Sequence, residues 1–354
     1  MLLRLGFAKK PPEIRVAIIF DCDILILSVN QINSTEALMG AQPFSLSREN
    51  TFADFNSIAN NSNWRDLCVD NRTDSSIFFD VELLPLADVT DGKFGDNGEQ
   101  CVVDTTRNQI IKVHGNQYTL LKNDVAYDMV NETINNLATN GNLNVDGMHI
   151  VDSLVAKGGK TIREYIFPAH TVNVAGSDVH MRIVVINSYD GSANFSLQVG
   201  GFRIVCLNGM VAGNKFLNLN QRHSGMIHLG DISNRILSSV KTFKEIGAYW
   251  HTLVNTPIER KQSDAVWTEF ASRDKKSRPS IQQFNMIESL FESHVKDIGR
   301  NYWAAYNTLT AWATHTEVKS GNEINRRDTQ LKRENDVAHL ITNPKIWSPQ
   351  LQAA

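Results

Sequence analysis

The sequence has few cysteines, and none of them belongs to a recognisable metal or redox motif. The chain of 354 residues contains four, Cys22, Cys68, Cys101 and Cys206, which are widely spaced and include no Cys-x-x-Cys pair. This usage excludes a disulfide-rich scaffold and a cysteine-based structural zinc site, and it is typical of a reducing compartment. We expect neither a cofactor nor a bound metal.

Long hydrophobic runs are also missing. No stretch reaches the roughly 20 apolar residues that a transmembrane helix requires. The segment 16–29 is apolar but is interrupted by Asp21 and Asp23, and no clear cleavage site of small residues follows it. We therefore expect a cytoplasmic protein without a membrane partner.

Basic residues are scarce in the first part of the chain and acidic residues in the second. Residues 1–199 contain 15 Lys and Arg against 24 Asp and Glu, whereas residues 200–354 contain 20 against 14, and the formal net charge is −3. A basic half can bind a polyanion even when the whole protein is acidic.

The chain is organised around a predicted β-hairpin at about 180–207. Residues 182–186 form a β-branched run, and residues 195–199 alternate apolar and polar side chains. The pair Asp190-Gly191 between them favours a tight turn, which would expose Tyr189 near the tip. Gly200-Gly201 predicts a bulge or bend that redirects the second strand.

Strands dominate the chain before this hairpin, and helices dominate it afterwards. Strands are predicted at 77–85, 101–104, 108–113, 148–156, 161–168 and 172–174, with one helix at 121–137 capped by Asn123 or Asp124. A 3.6-residue period then predicts a long helix capped by Asp231, and further helices at 258–272, 280–298, 301–316 and about 328–341. The expected fold is α+β, with an antiparallel β-rich core and a helical C-terminal third.

Several short motifs occur in an order that resembles a known family. They are Leu84-Pro85-Leu86, Asp104-Thr105-Thr106, Asn187-Ser188-Tyr189-Asp190-Gly191-Ser192, residues 203–210, His223-Ser224-Gly225 and Tyr306-Asn307-x-Leu309-Thr310. Over roughly 79–340 the chain resembles the phage- and plasmid-like proteins grouped as domain of unknown function 932. The resemblance implies a protein of a phage, prophage or plasmid in a bacterial host cell. By analogy of fold it also implies a distant relation to Rad52-like phage single-strand annealing proteins.

The resemblance divides the chain into three predicted regions. Residues 1–45 lie outside it and form an N-terminal extension, of which residues 1–38 precede an alternative start at Met39. Residues 46–255 form the α+β core, and residues 256–354 form a helical region packed on that core.

Our first functional hypothesis is a non-catalytic, annealing-type recombination protein that binds single-stranded DNA. Such binding requires a basic groove that follows the phosphates and surfaces that hold bases. Tyr189 is the predicted stacking residue, and oligomerisation would line up several modestly basic surfaces. The predicted phosphate contacts are Arg203, Lys215, Arg222, Lys241, Lys244, Arg273, Lys275, Lys276 and Arg278, with a further stripe at Arg326, Arg327, Lys332 and Arg333.

Two other functions remain open. A mobile-element protein that binds a host protein, such as an inhibitor of host defence, would show the same acidic surface and large aromatic helices. Asp21 and Asp23 also resemble the first motif of haloacid-dehalogenase phosphatases, in which they would act as nucleophile and acid/base beside magnesium. A metal site at His223 and His228, or a nucleophile at Cys206, is disfavoured by the non-helical spacing and by the apolar surroundings.

Overall fold

The computed structural model describes residues 77–93, 95–203, 208–211, 219–225, 232–272, 279–317 and 326–349. The predicted α+β fold is confirmed: antiparallel strands dominate up to residue 221, and helices follow from residue 232. No helix in these ranges combines the length and the apolar character needed to cross a bilayer.

A small antiparallel sheet comes first in the chain. Its strands β1 (Val81–Pro85), β2 (Gln100–Asp104) and β3 (Gln109–His114) lie in the order β1-β2-β3, and the short helix α1 (Leu86–Val89) follows β1. The sheet buries Val81 and Val102 against Tyr189 of the hairpin, so this contact joins it to the rest of the fold.

The large sheet contains the predicted hairpin. Its strands are ordered β4-β5-β6-β7-β8, and β9 also pairs with β7. Strands β6 and β7 pair without interruption, so the predicted hairpin is confirmed but the bulge at Gly200-Gly201 is wrong. The sheet's strands are β4 (His149–Val155), β5 (Lys160–Val174), β6 (Ser177–Ser188), β7 (Phe195–Arg203), β8 (Asn208–Val211) and β9 (Leu219–Gln221).

The glycine at position 201 has a packing role. A Cβ atom there would lie 2.6 Å from Cη2 of Trp250 and 2.7 Å from Cγ1 of Val179. Trp250 belongs to helix α3 (Ile232–Asn255). Glycine therefore lets this helix approach the sheet closely, which is the other common reason for glycine inside a strand.

The helix before the large sheet, α2 (Asn123–Thr139), begins differently from the prediction. Neither Asn123 nor Asp124 caps it, because Lys122 occupies the N-cap position without a side-chain hydrogen bond. The buried Asn123 amide instead donates to the carbonyl of Ile77 and accepts from Asn187. It therefore joins the helix start to the sheet.

The four later helices complete the predicted helical third. They are α4 (Arg260–Ala271), α5 (Ile281–Ile298), α6 (Tyr302–His315) and α7 (Arg326–Ile341). Ser280 and Asn301 cap α5 and α6 through side-chain hydrogen bonds. Trp250, Trp267 and Trp303 are fully buried, so these aromatics form part of the core.

Opposite faces of the large sheet carry different helices. Tyr165 and Ile183 join the main core, which includes residues of α2 and α3. Ile162 and Val184 face the other way and pack with Leu331 of α7. Because neighbouring strand residues point to opposite faces, α3 and α7 lie on opposite sides of the sheet.

Replacing Gly201 with alanine tests the close approach of α3. The new Cβ would overlap Trp250, so we expect a loss of about 1–3 kcal/mol in the free energy of unfolding, measured by urea denaturation. Gly115→Ala is the matched control, because a Cβ there meets nothing within 4 Å. Equal stabilities of the two variants would contradict this packing.

Candidate functional site

A polar groove of about 330 Å³ runs between the hairpin and α7. The hairpin contributes Asn194, Ser196 and Gln198, and β9 contributes Asn220. Helix α7 contributes Asp328, Leu331, Lys332, Asn335 and His339 to the opposite wall. The groove therefore offers many hydrogen-bonding groups beside some apolar surface.

Alternation along β7 explains the polar wall. Phe195, Leu197 and Val199 point into the main core. Ser196 and Gln198 point to the opposite face, where they pair in register with Ile186 and Val184. Both residues line the groove; Gln198 is partly exposed there, and Ser196 is 8% exposed.

Two lysines give the groove a positive wall. Both ammonium groups bind one carboxylate, since Lys160 and Lys332 each lie 2.7 Å from a different oxygen of Asp328. Burial acts to raise the pKa of Asp328, but the hydrogen bonds from the two lysines outweigh it and hold the pKa below its ordinary value. The cluster thus carries two positive charges against one negative charge, and Lys332 is 71% exposed.

A buried network of four charges fixes α7 on the sheet. Arg182 donates to Glu164 (2.5 Å) and to Glu334 (3.0 Å). Arg327 of α7 donates to the same two carboxylates. All four side chains are less than 10% exposed. Each arginine thus contacts both glutamates, and the helix wall of the groove is locked in one position.

The pKa of Glu164 reflects this network. Burial acts to raise it, but the charges and hydrogen bonds of Arg182 and Arg327 lower it from 4.5 to about 2. The pKa of Arg327 is raised above its ordinary value, because Glu164 and Glu334 outweigh the effect of burial. The charged forms of these groups are therefore the stable ones in the folded protein.

The hairpin tip is held by a column of aromatic rings. His114 stacks on Tyr118 with ring centroids 3.8 Å apart, and Tyr118 stacks on His223 at 5.6 Å. His114 Nε2 donates to the carbonyl of Tyr189 (2.7 Å), and the Tyr118 hydroxyl donates to the carbonyl of Ser188 (3.2 Å). These contacts attach the tip to β3.

The prediction that Tyr189 is exposed is wrong. Its side chain is only 1% exposed, and its hydroxyl accepts a hydrogen bond from the backbone N–H of Asn123. Gly191 has the predicted positive φ of 71°. The predicted tight turn is wrong, because β6 ends at Ser188 and β7 begins only at Phe195. The ring turns inward because the small sheet provides an apolar contact for it. In this structure Tyr189 offers no surface for stacking a base.

Three of the predicted phosphate contacts have described side chains, and none of the three lines the groove. Lys241 and Lys244 are exposed on α3, across the sheet from the groove, and Arg222 is exposed just after β9. Only the backbone of Arg203 is described, as the last residue of β7. Five further predicted contacts lie outside the described residues: Lys215, Arg273, Lys275, Lys276 and Arg278.

The residues of the further basic stripe predicted on α7 lie in different environments. Lys332 lines the groove, as a phosphate contact would require. Arg327 is buried in the charge network, so its predicted place in an exposed stripe is wrong. Arg333 donates to the carbonyls of Thr316 and Glu317, and the side chain of Arg326 is outside the described residues.

The sequence did not predict that the other residues of the groove line a common site. The alternation of Asn194, Ser196 and Gln198 with apolar neighbours indicated a polar face, but not whether a helix covers it. Lys160 lies next to a glycine turn and shows no local signal at all. Its role depends on Asp328, which is 168 residues away.

The described residues contain no group of three or more His, Cys, Asp or Glu side chains able to hold a metal ion. His223 is buried in the aromatic column. Asp21, Asp23, Cys206, His228 and Asp231 lie outside the described residues, so the enzyme hypotheses built on them gain no structural support.

Comparison with known proteins gives a family match. A family described as "Domain of unknown function (DUF932)" matches residues 111–340, which include the hairpin, the groove and most of α7. No solved structure matches the chain.

Removing one arginine tests the charge network. We expect Arg327→Met to lower the free energy of unfolding by about 3–5 kcal/mol, because Glu164 and Glu334 would lose a shared partner while buried. Lys332→Met on the same helix should cost less than about 1 kcal/mol, since its ion pair is exposed. Urea unfolding of both variants is the measurement. Similar losses of unfolding free energy in the two variants would show that the buried network stabilises the fold no more than the exposed ion pair does.

The free energy of unfolding should also fall in acid, over pH ranges set by the pKa values of the buried groups. The folded-state pKa of Glu164 lies below its ordinary value, so its contribution is complete above about pH 4.5 and is lost as the pH falls towards 2. His149 and His180, whose pKa values burial lowers to about 4, act earlier, between pH 6.5 and 4. The melting temperature of Glu164→Gln should depend less on pH than that of the unchanged protein, but only between about pH 4.5 and 2. An equal dependence of the two proteins in that range would contradict the role given to Glu164.

Proposed function

The chain belongs to the DUF932 family, whose description leaves its function open, and we propose from its own side chains that it binds single-stranded DNA without catalysing a reaction. The observation that supports this proposal is the lysine-flanked polar groove along the hairpin. In this proposal the protein is an annealing-type recombination protein of a phage or plasmid, and it acts in the cytoplasm of a bacterial host.

The groove has the chemistry that a single strand requires. Lys332 supplies positive charge for a phosphate, because most of its side chain is in solvent. The buried Lys160 binds Asp328 and offsets its negative charge. The amides of Asn194, Gln198 and Asn220 both donate and accept hydrogen bonds, so they suit phosphates, sugars and base edges alike. Such a surface favours binding without strict sequence readout.

The expected affinity of one groove is modest. No aromatic side chain is among the described residues that line it, so stacking adds nothing there. One exposed phosphate contact, Lys332, predicts a slope of about −0.7 in log K against log salt on single strands. A homo-oligomer would present several grooves to one strand and raise the overall affinity by multivalency.

Charge reversal at Lys332 tests the proposed site. We expect Lys332→Glu to weaken binding of a labelled oligo(dT) by about tenfold and to flatten its salt dependence, measured by fluorescence anisotropy. Lys345→Glu is the matched control, because Lys345 is exposed but does not line the groove. Lys241→Glu tests the opposite face of the sheet, because Lys241 is exposed on α3. A loss with Lys241→Glu and none with Lys332→Glu would place the DNA on α3 instead.

The function itself is tested with the unchanged protein. At moderate salt it should shift a single-stranded oligonucleotide and accelerate annealing of complementary strands. Failure in both assays would overturn the proposal, whatever the variants do.

A second candidate function is binding to a host protein without DNA. The observation that favours it is on α5, where Ile281 is 77% exposed and Met286 37%. Large apolar side chains in solvent are more typical of protein contacts than of DNA contacts. Replacing both with serine should leave DNA binding unchanged under the first proposal.

A further inference from the structure

A second cleft, of about 560 Å³, lies on another side of α7. Helices α4, α5 and α6 contribute to its walls, together with α7. His339 borders both this cleft and the polar groove, so the two sites are neighbours on one helix. The volume is within the range of small-molecule sites, which run from roughly 300 to 1,000 Å³.

One wall of the cleft is aromatic. Phe270 and Trp312 both line it, and each is partly exposed. Their rings are perpendicular, with centroids 4.6 Å apart. Val337 and Leu340 of α7 extend this apolar surface. Most other aromatics of the helical region are fully buried, so a partly exposed pair suits a flat ligand.

The polar groups of the cleft include two carboxylates, those of Glu269 and Asp336. Ser272, Gln283, His339 and Asn343 can each both donate and accept hydrogen bonds. Burial raises the pKa of Asp336, and His339 partly offsets this effect. The guanidinium of Arg333, by contrast, donates to the carbonyls of Thr316 (2.5 Å) and Glu317 (3.1 Å). A matching ligand therefore has a flat ring and at least one N–H donor for the carboxylates.

We infer that this cleft binds one unstacked nucleobase with an exocyclic amine, namely adenine, cytosine or guanine. The ring lies against the aromatic wall, and the amine donates to Glu269 or Asp336. Thymine has no exocyclic amine, and its single N3–H donor lies between two carbonyl oxygens, which a carboxylate repels. The inference rests on the proposed function, because the base belongs to a strand whose phosphates occupy the adjacent groove.

Nucleoside titrations test the inference without the phosphate backbone. Deoxyadenosine, deoxycytidine, deoxyguanosine and thymidine are added to the full-length protein at millimolar concentrations, and binding is followed by NMR chemical shifts. We expect at least one amine-bearing nucleoside to bind about tenfold more tightly than thymidine. Equal affinities, or no binding by any nucleoside, would overturn the inference.

Carboxylate variants locate the contact. Asp336→Asn and Glu269→Gln keep the side-chain shape but remove the charge, so we expect at least one of them to lower the affinity for the amine-bearing nucleoside about tenfold. Asp297→Asn is the matched control, because this exposed carboxylate lies on α5 outside the cleft. A preference that survives both cleft variants would rule out these carboxylates as its source.

Homopolymers separate failure of this inference from failure of the proposed function. Oligo(dT) has no exocyclic amine, so its binding reports on the groove alone. Binding of oligo(dT) and oligo(dA) with equal affinity would refute the base cleft and leave the groove proposal intact. Selective nucleoside binding with no binding of either oligonucleotide would refute the groove proposal and keep the cleft as a nucleoside site.

Discussion

The position of α7 depends on the buried contacts among Glu164, Arg182, Arg327 and Glu334. Both candidate sites depend on that position, because α7 forms one wall of the polar groove and one wall of the aromatic cleft. The apolar contact between α7 and its face of the sheet is small and centres on Leu331. Val337 and Ile341 of α7 also pack in the main core. Charge pairing adds to this packing in fixing where the helix lies.

Attaching a helix through buried charges is energetically costly. This cost explains why the contact favours one position of α7 over others. Removing four charges from water costs several kcal/mol per ion, which only complete pairing offsets. A shift of α7 by one residue would separate Arg327 from Glu164 and Arg182 from Glu334, and each group would keep only one of its two partners. An apolar contact would tolerate such a shift far better. The network thus favours one register of α7 and one shape for the groove.

Local patterns predicted most of the secondary structure, and long-range contacts decided the exceptions. The hairpin and the helices after it follow from alternation, turn residues and 3.6-residue periodicity. Tyr189 was predicted at an exposed tip, but the small sheet buries it. Gly201 suggested a bulge, but the glycine accommodates Trp250, which is 49 positions further along the chain. Each error concerns a residue whose neighbour is distant in sequence.

The sequence by itself determined the α+β class, the hairpin and the polar row of β7, because these depend on the order of apolar and polar residues within a few positions. Only the tertiary structure decided which charges are buried and which are exposed. Arg327 and Lys332 lie five residues apart on one helix, yet one is locked between glutamates and the other reaches solvent. The physical reason is that Glu164 and Arg327 are 163 positions apart and meet only when α7 packs on the sheet.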